Sequence, residues 1–224
     1  MARFKDHEKA LNLRRQGMSY SQIKKLLKVS KGTLSVWLRD YPLSKQRIRE
    51  LRDWNEQRIE RCRETKQRKK EKRLKDVYEL QEKILLPLKS KEIFMMGLGL
   101  YWGEGTKHRA GCLSVSNTDP SIIRFFICWL NKSLNVSRNK MKVALQLYSD
   151  MNIDKEMRYW SETLKIPLPQ FVKPYIKKTS SKNINHKGGF GHGTCNLRTN
   201  NTSLSEKIIM GLKVISDKYG QRGV

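Results

Sequence analysis

The chain has 224 residues, 38% of them hydrophobic and 30% charged, and a net charge of +26 from 47 Lys and Arg against 21 Asp and Glu. That length allows one sizeable core and a small extra domain. The cationic excess runs through all parts of the chain and points to a polyanionic partner, whose condensed counterions are released when phosphates are neutralised.

Its longest apolar stretches, near 93–103 and 125–130, are too short to span a bilayer, so no membrane partner is expected. The opening "MARFKDHEK" has no apolar signal core. Cys62, Cys112, Cys128 and Cys195 are widely spaced and form no CxxC pair, which reads as a reduced, cytoplasmic protein without a disulfide framework.

Residues 1–43 predict three short helices. Asp6 is the expected cap of the first, with Ala10, Leu11 and Leu13 inward and Gly17 as its stop. Ser19 caps a second, which turns Ile23, Leu26 and Leu27 to one face. After the tight turn "KVS", Ser30 caps a third with Leu34, Trp37 and Leu38 inward. The stretch "SYSQIKKLLKVSKGTLSVWL" resembles the helix-turn-helix of resolvases and many bacterial regulators. The resemblance implies that the third helix enters the major groove of double-stranded DNA. Lys31, Thr33 and Ser35 then lie near base edges, and Lys24, Lys25 and Arg39 near phosphates.

Residues 44–90 read as a charged helical linker. Its apolar positions, Ile48, Leu51, Trp54, Ile59, Leu74, Val77, Leu80 and Ile84, are sparse and hold no heptad over the segment, which argues against a coiled coil. Pro87 and Ser90 mark its far boundary.

From residue 91 the chain reads as a globular α+β domain. "EIFMMGLGLYWGEG" has helical length, and Gly99 and Gly103, four apart, share one face where small residues let two backbones approach closely. Downstream, "GCLSVSNTDP" is a strand and turn. Asp119 with Pro120 opens a helix. "KMKVALQLYSD" alternates as a strand, and "IDKEMRYWSETLKIP" is a helix. "QFVKPYIKKTS" and "GTCNLRTNN" are strands around the Gly-rich loop "NHKGGFGHG", and "SLSEKIIMGLKVISDKYG" is an amphipathic helix.

The segment "GLGLYWGEG", 97–105, resembles the LAGLIDADG signature of homing endonucleases. The resemblance implies an αββαββα-type domain over 91–219 and a homodimer joined at Gly99 and Gly103. It implies Glu104 as the ligand of Mg2+, or of Mn2+ in its place, for metal-dependent cleavage of both DNA strands. Trp102 stands where the family usually has its earlier acid. Some regulators of this fold do not cut, so a sequence-specific transcriptional regulator is the alternative, and an RNA-binding, maturase-like protein a third. Lys142, Gln146, Lys177 and Arg198 are candidates for contact with phosphates or bases, together with Lys173 and Lys178. Lys173 is the expected charge stabiliser beside the scissile phosphate. His108, Cys112, His186, His192 and Cys195 lack the paired spacing of a zinc site, and no GKS/T follows the glycines of 188–193, so a P-loop is unsupported.

Overall fold

Three serines set the frame of the N-terminal unit. In the computed structural model, which describes residues 2–51, 54–107, 111–179 and 191–220, each of them opens a helix. Helix α1 (Ala2–Arg15) ends before Gly17, whose φ of +82° favours glycine. Asp6 therefore lies inside α1 and is not its cap: the good helix formers upstream carry the helix five residues further back than expected. Ser19 caps α2 (Tyr20–Leu27) in a capping box with Gln22, and Lys28 closes it in the left-handed conformation. Ser30 caps α3 (Lys31–Trp37), its hydroxyl accepting from the Thr33 amide at 3.1 Å. Ala10, Tyr20, Ile23, Leu34 and Leu38 form the core between them, with Leu11, Leu13, Leu27 and Trp37 packed against it. Leu26, expected inside, is exposed.

Ser44 caps α4 (Lys45–Glu50), which buries Ile48. Helix α5 (Trp54–Leu85) follows. The start of the expected linker is thus part of the first folded unit. Glu60 on α5 takes a bidentate pair of hydrogen bonds from Arg14 on α1, at 2.8 and 3.1 Å, and a third from the Tyr20 amide at 2.9 Å. Ser19 donates to Glu56 at 2.9 Å. Arg14 and Glu60 are both almost fully buried, a position that charges occupy only when paired and hydrogen-bonded.

The chain divides into two compact units, Met1–Leu86 and Pro87–Val224. The second has the order α6 (Ser90–Glu104), β1 (Cys112–Asn117), α7 (Pro120–Lys132), β2 (Met141–Tyr148), α8 (Ile153–Leu164), β3 (Tyr175–Lys177), β4 (Thr194–Asn200), α9 (Thr202–Tyr219). Asp119, Asn152 and Asn201 cap α7, α8 and α9 with their side chains. The four strands lie in the order β1-β4-β2-β3, with β4 antiparallel to both neighbours and β3 parallel to β2. Among the described residues this α+β unit reads αβαβαββα, which corrects the expected αββαββα. Before β1, Gly105 contributes a single antiparallel bridge to Val115 in place of a strand. After β2, α8 carries the chain across so that β3 returns parallel, as a parallel pair requires.

One face of this sheet is apolar. Leu113, Val115, Met141, Val143, Leu145, Leu147, Cys195 and Leu197 are buried in a core completed by α6, α7, α8 and α9. Among the described residues no helix is long and apolar enough to cross a membrane.

Candidate functional site

Glu104 is the last residue of α6, and Gly105 caps the helix. The packing of α6 rests on Gly97: a Cβ there would stand 2.0 Å from Cδ1 of Trp129 on α7. Trp129 also donates its indole N–H to the Phe94 carbonyl at 3.1 Å. Tyr101, fully buried, donates its hydroxyl to the Thr106 carbonyl at 2.6 Å and tethers the chain beyond the helix end. With those two residues facing inward, the helix turns Met95, Met96, Gly99, Trp102, Gly103 and Glu104 outward. A Cβ at Gly99 or Gly103 would meet nothing within 4 Å, so the shared face expected of these glycines is open.

The Glu104 carboxylate is exposed and accepts one hydrogen bond, from the Asn117 side chain at 3.3 Å. Asn117 is fixed in turn by accepting from the Asp119 amide at 2.8 Å. Hydrogen bonds from Ser121 hold the Asp119 carboxyl below the usual range, which keeps this N-cap ionised. Glu104 sits at a helix C-terminus, where backbone carbonyls already carry partial negative charge. Carboxylate and carbonyls together favour a cation there.

The outer face of the sheet is polar. Strand alternation places Lys142, Ala144 and Gln146 of β2 on it, with Thr194, Asn196 and Arg198 of β4 and Ser114 and Ser116 of β1. Lys142 pairs with Arg198, and Arg198 with Ser114, in one row across three strands. In the next row Asn196 donates to the Ser114 and Ser116 hydroxyls, both at 2.7 Å. Gln146 lies between Thr194 and Tyr175, and the Lys177 ammonium sits 4.9 Å from the Tyr148 ring centroid. Lys142, Gln146, Lys177 and Arg198 are thus gathered on one surface.

Lys173 is not gathered with Glu104. Exposed, it lies on the chain entering β3, at one sheet edge, while Glu104 lies beyond β1 at the other. Three strand spacings, about 14 Å, separate the two edges.

Compared with family models, with curated proteins and with solved structures, the chain matches none.

In the first unit, Lys31 and Arg39 of the α3 region are exposed. Thr33 is half-buried and its hydroxyl pairs with that of Ser30 at 2.8 Å, so it serves the cap. Ser35 lines a groove shared with Arg39 and with Arg63, Gln67 and Lys70 of α5. Arg63 donates to the Lys31 carbonyl at 3.1 Å and lies 4.0 Å over the Tyr20 ring. The outward residues of α3 are Lys31, Gly32 and Val36, with Arg39 just beyond its end. Sequence reasoning missed Val36, Asn196, Ser114 and Asn117. Alternation could have found Asn196 and Ser114; Asn117 required the fold.

The His192 ring nitrogen is 2.6 Å from the buried Glu156 carboxylate, and the ring stacks on Tyr159. Burial pushes the neighbouring Cys195 thiol up to about 12, so it is no thiolate ligand at neutral pH. His108 and His186 lie outside the described residues. Among the described residues no group of three His, Cys, Asp or Glu side chains is placed to hold a metal within one chain.

Proposed function

We propose that this protein binds double-stranded DNA and, as a homodimer, hydrolyses its phosphodiester backbone at sites built around Glu104 with Mg2+ or Mn2+. The observation that carries this reading is the exposed Glu104 carboxylate at the rim of a sheet face bearing Lys142, Arg198, Asn196 and Gln146. Guanidinium and ammonium groups suit phosphates, and Asn and Gln amides suit base edges. Lys31 and Arg39 give the first unit a second cationic surface for the same partner.

The donor set fits a hard cation. Mg2+ keeps several waters and needs only one or two carboxylates beside substrate phosphate oxygens. Glu104 offers one such carboxylate, and a second chain docked along the open Gly99 and Gly103 face of α6 brings another. The divalent ion supplies stabilisation of phosphate charge and a water of lowered pKa. Glu104 holds it, Asn117 orients Glu104, and the basic row of β2 and β4 binds the backbone in register. Two chains related by a two-fold axis then address two strands.

A second reading has its own observation. Trp102, where the resemblance calls for another acid, is exposed on the same open face of α6, which leaves one acid per chain. That composition suits a dimer seam on a regulator that binds without cutting.

The deciding experiment incubates the protein with supercoiled plasmid carrying DNA that flanks its own gene, under Mg2+, Mn2+ or EDTA, beside the Glu104→Gln variant. Discrete cleavage that needs metal and Glu104 supports the nuclease. Salt-sensitive binding at one site without cleavage supports the regulator. Loss of binding in Glu104→Gln overturns the metal-ligand role.

A further inference from the structure

Helix α5 carries a surface that neither DNA binding nor the α6 face accounts for. Its first turns are packed into the N-terminal unit, but every residue from Arg68 to Pro87 is exposed. Within that stretch Leu74, Val77, Tyr78, Leu80, Ile84 and Leu85 are between 49% and 68% exposed. Apolar side chains at that density on a free helix are unusual, since a helix with only solvent around it is ordinarily polar on all sides.

The positions are ordered. With Leu74 at a, the heptad puts Val77 at d, Gln81 at a and Ile84 at d, with Tyr78 and Leu85 at e and Leu80 at g. The sequence-wide pattern concealed this seam because it ran together two different helices: Ile48 and Leu51 are buried in and beside α4, and only the stretch after 73 is unpartnered.

We propose that residues 74–85 pair in parallel with the same segment of a second copy of this chain. The flanking residues identify the occupant. In a parallel pair each g position faces the e position five residues on in the partner helix. Arg73 then faces the Tyr78 ring and Leu80 faces Leu85: a cation–π contact and an apolar contact. An antiparallel pair over the same segment would instead set Gln81 against Val77 and Arg73 against Pro87, losing the cation–π contact. Lys70, at the preceding d position, ends the seam on the N-terminal side. Gln81, the polar residue inside the seam, finds its partner in the Gln81 of the other helix only when the register is in phase, the use such a residue has in paired helices.

This pairing is independent of the α6 face and of any nuclease activity, and the test reads α5 alone. In the full chain, with the exposed Cys62 replaced by Ser, cysteine is introduced either as Gln81→Cys in the seam or as Glu79→Cys at f, on the far side of the helix. Under mild oxidation Gln81→Cys is expected to yield covalent dimer at least ten times faster than Glu79→Cys, and adding Val77→Asp should abolish the product. Equal rates at the two positions, or no product at Gln81→Cys, overturn the proposal. As a second readout, sedimentation of Val77→Asp with Ile84→Asp in the native-cysteine background should show self-association weakened at least tenfold. Association unchanged by that pair of substitutions also overturns it, whether or not the plasmid is cut.

Discussion

Gly97 and Gly99, two residues apart on α6, meet opposite surroundings. A methyl group at Gly97 collides with the Trp129 ring, and one at Gly99 enters open space. Gly97→Ala is therefore expected to cost about 1–3 kcal/mol or more through overpacking, measured by urea denaturation. Gly99→Ala should leave the fold intact or stabilise it by up to about 1 kcal/mol, since alanine is the better helix former. If α6 is a seam between chains, Gly99→Ala weakens self-association in the same samples, so the two readouts separate the two glycines. The four-residue spacing of Gly99 and Gly103 was legible in the sequence. The constraint on Gly97 was not, because it comes from a side chain on another helix. Cys195 gives a prediction in pH. Its thiol titrates at about 12 in the fold against an ordinary 9.0, because burial disfavours the thiolate. The neutral thiol is the form the fold accepts. Its contribution is whole below the unfolded value and is lost as pH rises from about 9 toward 12. Denaturation midpoints followed over that range should fall less in Cys195→Ala than in the parent, once the cost of the lost side chain is subtracted.

Caps and alternation made most of the elements readable. Ser19, Ser30, Asp119 and Pro120 start helices where the sequence placed them, and the buried and polar residues of β2 alternate as expected. The end of the N-terminal unit was hidden. Arg14 and Glu60 are 46 residues apart, and Glu60 stands in a stretch so dense in charge that no single acid is conspicuous. Burial alone distinguishes it. Glu60→Ala leaves the Arg14 guanidinium buried without its carboxylate and should cost about 3–5 kcal/mol. Leu74→Ala, far along the exposed part of the same helix, should change the stability of the chain by less than about 0.5 kcal/mol where no second copy is paired. Far-UV circular dichroism against temperature, on dilute protein, checks both.

At the scale of the molecule, two units with separate cores should melt separately. Calorimetry of the full chain is expected to resolve two transitions, and Glu60→Ala should lower one and spare the other. The cationic excess makes DNA binding a property of the whole chain, so affinity is expected to fall steeply with salt. Arg198→Ala should reduce the slope of log K against log salt by about one if Arg198 meets a phosphate, and relax sequence preference if it meets a base. The sequence disclosed the charge and its division into units near Pro87, but could not place Lys173 and Glu104 on opposite edges of one sheet, because strand order is set by long-range pairing.

The Arg14–Glu60 pair also bears on the order of events during synthesis. The first three helices are translated well before the residue that neutralises the arginine at their centre. At about 5–20 residues per second, Glu60 follows the end of α3 by roughly one to five seconds. Through that interval the nascent N-terminus holds an arginine with no carboxylate to bury it against. The newborn unit therefore waits, and closes when the start of α5 emerges and completes it.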